Sequence, residues 1–436
     1  MRDGGRIEAA IAVLADLETH HRPVSEALKD WGVKHRFAGS GDRAAIGNLV
    51  YDALRRRSSF AHIVGDQSAR AAVLAAYAIG WGKGVEGLAA ALADPHAPEP
   101  LSDDEAAKLA AADLSDAPEH IAADLPEWLL PSLTRVFGIR IAEEGRALPE
   151  RAPVDLRVNT LKGDRDKALK QLADLHVSAA ALSPVGIRVA VGYGPSRAPH
   201  VESEPAYLKG LVEIQDEGSQ IAALVAAPQG LSQVLDLCAG AGGKALALAA
   251  LMGGKGQIYA YDSEKRRMHD LYDRTARAGA RNIQPRSPGS RDVLGDLAGK
   301  MDLVLVDAPC SGTGTWRRRP DAKWRLTEAY LDTRMAEQDA VLDDAARFVK
   351  LGGGRLVYIT CSVLAEENED RIEAFMHRHA GFALVDPLEK LAKSDATTAE
   401  KLRPFVKTDE RLGPVLRLTP ATAGTDGFFV AVMVRD

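Results

Sequence analysis

The chain predicts a doubly wound parallel α/β domain over residues 229–436, preceded by a small α+β domain at 150–228 and an all-α domain at 1–145. Three observations carry this. From Leu231 on, expected strands near 233–237, 257–261, 282–286, 302–306 and 355–360 alternate with helical stretches near 243–252, 263–278, 326–350 and 365–379. Three of the strands pass at once into small and polar residues: Val234-Leu-Asp-Leu-Cys-Ala-Gly-Ala-Gly-Gly-Lys244, Leu303-Val-Leu-Val-Asp-Ala-Pro-Cys-Ser-Gly-Thr-Gly314 and Leu356-Val-Tyr-Ile-Thr-Cys-Ser362. Each of these holds one of the chain's three cysteines. Open parallel sheets bind ligands beyond the carboxyl ends of their strands, so the three thiols are expected at or near one crevice.

The elements follow in order. Ile7, Ile11, Leu14 and Leu17 share one helical face, and Ser40-Gly-Asp-Arg starts a helix whose buried stripe is Ile46, Leu49, Val50 and Leu54. Arg55–Arg57 close that helix, as a solvated end suited to its dipole or as an RNA contact. Residues 66–125 are Ala-rich small helices, and another helix starts in Leu125-Pro-Glu-Trp-Leu-Leu130 and runs to about Phe137. A strand over Val154–Thr160, a helix from Arg165 to Leu175 and strands at Ile187–Val191 and Leu211–Gln215 form the small domain. The run Gly427–Val434 is a late sheet strand, and 387–426 reads as a long loop or partial hairpin.

Composition narrows the class. Apolar content of 46% and charged content of 27% are ordinary for globular chains. The longest apolar runs fall short of 18 residues, so no transmembrane helix is expected. Met1–His21 has charges among its apolar positions and no cleavage pattern, so it is not a signal peptide. Three scattered cysteines argue against a disulfide framework and for a reducing, cytoplasmic setting. Without CxxC or HExxH, no metal site is expected. A net charge of −6 leaves nucleic-acid contact to local patches, of which Arg55–Arg57 and Trp316–Arg325 are the densest.

The Gly-rich stretch opens a helix after a strand, so backbone can approach a ligand closely. A triphosphate loop needs Gly six places before its Lys and Ser or Thr after it. Cys238 and Ala245 stand there, which excludes it. Gly240-x-Gly242-x-x-Ala245, with Asp262 at the end of the next strand, suits the ribose of an adenosine-type cofactor. Nicotinamide dinucleotides and S-adenosylmethionine both remain open on that loop alone. The alternative is a tight β–α turn with a surface Asp. Cys310, held after Pro309, and Cys361 end two neighbouring strands, which core filling does not explain.

These stretches resemble the RNA 5-methylcytosine methyltransferases of the RsmB/NSUN family. The family's D-x-C-A-x-x-G-G-K stands as Asp236–Lys244, and its D-A-P-C-S-G-x-G as Asp307–Gly314. Arg-Arg-x-Pro-Asp-x-Lys-Trp follows at Arg317–Trp324, then T-C-S with E-E-N at Thr360–Ser362 and Glu366–Asn368, and D-G-F-F at Asp426–Phe429. Leu156-Arg-Val-Asn159 and Gln215-Asp216 are also similar, so the likeness covers about 150–436. Residues 1–140 look, more faintly, like the NusB-like helical domain of bacterial RsmB.

The resemblance implies a Rossmann-like, S-adenosylmethionine-dependent domain, with an RRM-like domain and a NusB-like RNA-binding domain before it. Cys361 is then the nucleophile at cytosine C6, and Cys310 assists release of the methylated product. Asp307 contacts the base and Lys244 helps organise it. Cys238, Ala239, Gly240, Ala241, Gly242, Gly243 and Lys244 hold the cofactor with Asp262 and Asp307, Cys238 itself being structural. Two thiols suit the chemistry. C5 is a poor nucleophile until a thiolate adds at C6, and the adduct must afterwards be released. RNA contacts are expected from Arg157, Asn159, Arg317, Arg318, Lys323 and Trp324; the competing reading packs the tryptophans and solvates the arginines.

One departure from the family is Pro288, in Arg286-Ser-Pro-Gly289, where an acidic residue usually lies near adenine; Asp292 is off register. The expected substrate is small-subunit (16S) rRNA, with tRNA as the alternative, and the expected state is a monomer. A nicotinamide oxidoreductase would leave both cysteines idle. A non-catalytic RNA-binding assembly factor would leave them unexplained.

Overall fold

The computed structural model describes residues 1–196, 199–228, 232–289, 292–409 and 411–436. The expected boundary at residue 229, and the start of the strand alternation at Leu231, lie outside the described residues. The chain forms two compact units. One comprises Met1–Arg151, Val191–Ala198 and Trp316–Leu326, and the other comprises Ala152–Ala190, Pro199–Thr315 and Thr327–Asp436.

The first unit is helical. The Asp3–His20 helix buries Ile7, Ala10, Val13, Leu14 and Leu17, an i, i+3, i+4, i+7 stripe, against the Ser40–Arg55 helix, which buries Ile46, Leu49, Val50 and Leu54. Alanine-rich helices at Ala69–Ala75 and Gly84–Leu92 pack closely because their side chains are small. This unit also takes in a stretch from the far end of the sequence. The short Pro320–Arg325 helix, with Pro at its first turn, lies on the Ser40–Arg55 helix.

The second unit holds two sheets. The smaller one pairs β1 (Val154–Val158), β2 (Val177–Ala179), β3 (Gly186–Val189) and β4 (Val212–Ile214) in the order β2-β3-β1-β4, all antiparallel. Leu156 stands opposite both Ile187 and Ile214, and the sheet closes over Ala168 and Leu172 of the helical stretch from Arg165. β2 escapes a periodicity reading because it is a three-residue edge strand with an exposed outer face.

The larger sheet comprises β5 (Gln233–Asp236), β6 (Gln257–Tyr261), β7 (Ile283–Arg286), β8 (Leu303–Asp307), β9 (Gly354–Thr360), β10 (Phe382–Val385), β11 (Val406–Asp409), β12 (Gly413–Leu418) and β13 (Phe428–Arg435). Its order is β11-β12-β13-β9-β8-β5-β6-β7, with β10 also on β13. β5 to β9 are parallel and β13 runs antiparallel to β9. Along β8, Leu303 and Leu305 join one core while Val304 and Val306 join the other. Both faces are covered there, which is why β8 and the middle of β9 read as continuous apolar runs. The order reverses at β5: the chain leaves toward β6 and β7, then returns to β8. A ligand crevice is expected where the carboxyl ends of β5 and β8 diverge.

The described residues of 387–426 include the hairpin that composition allowed and add two helices to it. They form helices at Glu389–Ser394 and Ala396–Leu402, then the β11–β12 hairpin with Val406 opposite Leu416. The Asp395 side chain accepts from Thr398 N and so caps the second helix. The helix expected from residue 263 opens instead as a 3₁₀ turn, Lys265–Met268, and is α-helical over His269–Ala278.

Candidate active site

Three strand ends build the site. The turn after β5 needs two left-handed glycines, Gly240 (φ 51°) and Gly242 (φ 82°). A Cβ on Gly242 would lie 2.2 Å from Leu271 Cδ1, so only Gly fits. Asp262, buried at the end of β6, ties the turn down. Its Oδ2 accepts from Gly240 N at 3.1 Å and its Oδ1 from Glu264 N at 2.9 Å. Each oxygen keeps a second lone pair for a ribose hydroxyl. The first-turn amides of the Gly243–Leu251 helix have no acceptor within the helix, as suits a carboxylate. The turn and Asp262 thus fit an adenosyl amino-acid cofactor.

Lys244, 6% exposed, donates to Asp307 Oδ2 at 2.6 Å and stands 5.3 Å from the Phe428 ring centroid. Asp307, at the end of β8, keeps a side chain 35% exposed, so it is the carboxylate presented at the crevice. Asp236, fully buried, has its carboxyl pushed up to about 8 by burial first and by Asp307 next, with Lys244 opposing. It stays protonated at neutral pH and does not compete with Asp307 for Lys244.

Cys310 Sγ and Cys361 Sγ are 3.4 Å apart, both thiols free. The two loops that carry them are stitched together. Ala308 N donates to Ile359 O at 2.9 Å and Gly314 N to Cys361 O at 2.9 Å. Thr313 Oγ1 meets Ser362 Oγ at 3.0 Å and accepts from Val363 N at 2.9 Å. Gly427 N donates to Gly314 O at 2.8 Å, and a Cβ on Gly314 would lie 2.4 Å from Gly427 O. The hydrogen bond with Cys361, followed by burial, pushes the Cys310 thiol well above its ordinary value, and Glu367 adds to the effect. Burial likewise pushes Cys238 well up, and Cys238 packs on the apolar core, as a structural residue does.

The expected RNA contacts come out differently. Arg157 is buried. Its Nη1 donates to Gly243 O at 2.8 Å and to Gln215 Oε1, and burial pushes its guanidinium down to about 10. Asn159, also buried, donates to Gly210 O at 2.9 Å and Ala278 O at 2.8 Å. Both support the interior of their unit instead of facing RNA. Lys323 is 1% exposed and donates to Asp124 O at 2.6 Å and Arg55 O at 3.0 Å. Trp324 Nε1 donates to Leu54 O at 2.6 Å. Leu54 and Arg55 end the Ser40–Arg55 helix, where carbonyls lack intrahelical donors, and these two side chains supply them. Arg317 is buried and Arg318 half-buried. Arg55 is not a solvated end: it donates to Pro149 O and Arg317 O, each at 2.7 Å.

Pro288 is half-buried beyond β7, and Asp292 is spent on a local turn, accepting from Leu294 N at 3.0 Å. Among the described residues no cluster of three or more His, Cys, Asp or Glu could hold a metal, and no helix is long and apolar enough to cross a membrane. The sequence pattern assigns no role to Glu367, Asn368, Ser311 or Gln338. All four surround the cysteine loops.

The parallel sheet with its switch at β5, the glycine turn and the acidic end of β6 define a Rossmann-like methyltransferase domain beside a ferredoxin-like one. The chain belongs to the RsmB/F methyltransferase family. The model for 16S rRNA methyltransferase RsmB/F matches residues 223–434, and that for the ferredoxin-like domain of the RsmF/B-like methyltransferases matches 125–193. The probable ribosomal RNA small subunit methyltransferase B of Bacillus subtilis is 34% identical over 71% of this chain, a match spanning 66% of the relative's own length. Ribosomal RNA small subunit methyltransferase B of Shewanella oneidensis is 31% identical over 74% of this chain and 69% of its own. The solved structure of PH0851 is 25% identical, covers 99% of both chains and superposes with a TM-score of 0.71.

Proposed function

We propose that this chain is an S-adenosylmethionine-dependent methyltransferase of small-subunit rRNA that forms 5-methylcytosine through a covalent Cys361–C6 adduct. The observation that carries the reading is the pair of thiols 3.4 Å apart at the ends of adjacent parallel strands, next to the Lys244–Asp307 pair and the glycine turn. A methyl transfer to oxygen or nitrogen needs neither thiol. The relatives named above bear names that specify rRNA methylation, which supports rRNA as the substrate.

In this reading the target cytosine leaves its stack and enters the crevice. The Cys361 thiolate adds to C6, and the electron pair moves to C5, which then accepts a methyl group. S-adenosylmethionine supplies that methyl as an electrophile. The C5 proton passes to a base, the C5–C6 double bond re-forms, and the C6–S bond breaks to return the Cys361 thiolate. Cys310, largely a thiol at neutral pH, stands next to the departing sulfur and assists release. Asp307, oriented by Lys244, contacts the cytosine at N3 or its exocyclic amine and steadies charge as the adduct forms.

The test is bisulfite sequencing of total RNA from a strain lacking this protein beside its parent. Loss of protection at one small-subunit rRNA cytosine is the expected result. Loss at a tRNA cytosine keeps the chemistry and replaces the substrate. If every protected cytosine survives in the deletion strain, the reading is wrong.

A further inference from the structure

Glu367 is a fully buried carboxyl group that the reaction above leaves without a role. It ends the 3₁₀ turn Ala365–Glu367, just after the Cys361 loop. Its Oε1 accepts from Ser311 N at 2.7 Å and from Gln338 Nε2 at 3.0 Å, and its Oε2 accepts from the Ser311 hydroxyl. Gln338, on the Glu328–Ala346 helix, donates from the same nitrogen to Pro309 O at 2.9 Å. The residues on either side of Cys310 are therefore both held by one Glu367–Gln338 pair. The next residue does the same for the other thiol. Asn368 Oδ1 accepts from Thr360 Oγ1 at 2.5 Å, and Asn368 Nδ2 donates to Ser362 O at 2.9 Å. Tyr358, in β9, donates from its hydroxyl to Glu367 O at 2.7 Å and fixes the pair to the sheet.

We propose that Glu367 and Asn368 are positioning residues that set the two thiols against each other, Glu367 gripping Cys310 from one flank through Ser311 and, by way of Gln338, from the other through Pro309, and Asn368 gripping Cys361 from both flanks. The inference rests on the cytosine-C5 reading and extends it to what couples the two cysteines. A loop that only needed anchoring would be served by a neutral side chain, because a buried carboxylate loses its hydration. Three donors on one carboxyl offset that loss. The carboxylate also discourages a second negative charge on Cys310. That adds to the Cys361 hydrogen bond and the burial that already hold Cys310 as a thiol, and nucleophilic addition is left to Cys361.

The experiment compares Glu367→Gln with wild type, using the full chain, S-adenosylmethionine and unmodified 16S rRNA transcribed in vitro. Gln keeps the shape and removes the charge. Single-turnover methyl transfer should fall no more than about threefold. Multiple turnover should fall at least about tenfold, with an RNA–protein adduct accumulating on denaturing gels. The alkaline limb of the turnover profile should also move to lower pH. Equal loss of both rates without adduct, or wild-type turnover with an unchanged pH profile, overturns the proposal. Should Glu367→Gln fail to fold, Ser311→Ala removes one donor from the same grip and must show the same split. Cys310→Ala is the control. No adduct there means the C5 chemistry itself is wrong, whereas adduct there and none in Glu367→Gln sinks only the positioning role.

Discussion

The loop Cys310–Gly314 and the segment Trp316–Leu326 lie almost side by side in sequence, yet they obey opposite rules. In the loop, small residues and hydroxyls satisfy one another, and the Cys310 thiol faces the Cys361 thiol at 3.4 Å, with Asp307 still 35% exposed close by. In the segment, the chemically prominent side chains are the committed ones. Lys323 and Trp324 end on main-chain carbonyls at the close of a helix, and Trp316 is completely buried. Cations next to tryptophans look like an RNA surface, but here they act as helix caps and packing. Residue type alone does not separate the two outcomes. What separates them is whether a backbone acceptor elsewhere needs the donor.

The largest expected effect breaks the loop's side of this contrast. Cys361→Ala should bring turnover to background, a loss of at least about 10³-fold, because in the proposed reaction Cys361 is the C6 nucleophile. Cys310→Ala should retain addition and trap the RNA as an adduct resistant to denaturing gels. If the adduct forms equally well in Cys361→Ala, the roles of the two cysteines are reversed. The segment should respond in a different observable. Lys323→Ala strands the carbonyls of Asp124 and Arg55 and should destabilise the helical unit by about 3 kcal/mol. RNA affinity measured well below the unfolding transition should not change. A fall in RNA affinity without a fall in stability would return Lys323 to the RNA surface.

The parallel sheet was legible because β5, β8 and β9 are buried on both faces and end in abrupt small-residue turns, so burial and function both mark the sequence. The cysteines were legible for the same reason: a thiol between Pro309 and a positive-φ Gly312 is not ordinary core. What escaped is set by distant partners. Nothing around Lys323 announces that the carbonyls of Arg55 and Asp124 lack donors, and nothing around Arg157 announces the carbonyl of Gly243. Glu367 and Asn368 stood in plain view. Their grip on Cys310 and Cys361, however, runs through Ser311, Gln338, Thr360 and Ser362, from a loop, a long helix and a strand end that only the fold brings together.

The smallest effect sharpens the contrast most finely, since Lys323 of the segment and Asp236, at the end of β5 beneath the site, are both brought to about 8, with opposite slopes. Lys323 is pushed down to about 8 by burial, so the unfolded chain holds the extra proton above that pH and stability gains as pH rises toward the ordinary lysine value. Asp236 is pushed up to about 8, so the folded chain holds the extra proton. Its contribution to stability is fully present below the ordinary carboxyl range and is lost progressively as pH rises to about 8. Asparagine has the same shape and no charge at any pH. Between pH 6 and 8, Asp236→Asn should therefore remove roughly 2 kcal/mol of pH-dependent loss, seen as a melting temperature that falls less steeply than that of wild type. Parallel melting curves for the two proteins across that range would mean that Asp236 is already ionised in the fold. The neutral carboxyl that leaves Lys244 wholly to Asp307 would then have to be given up.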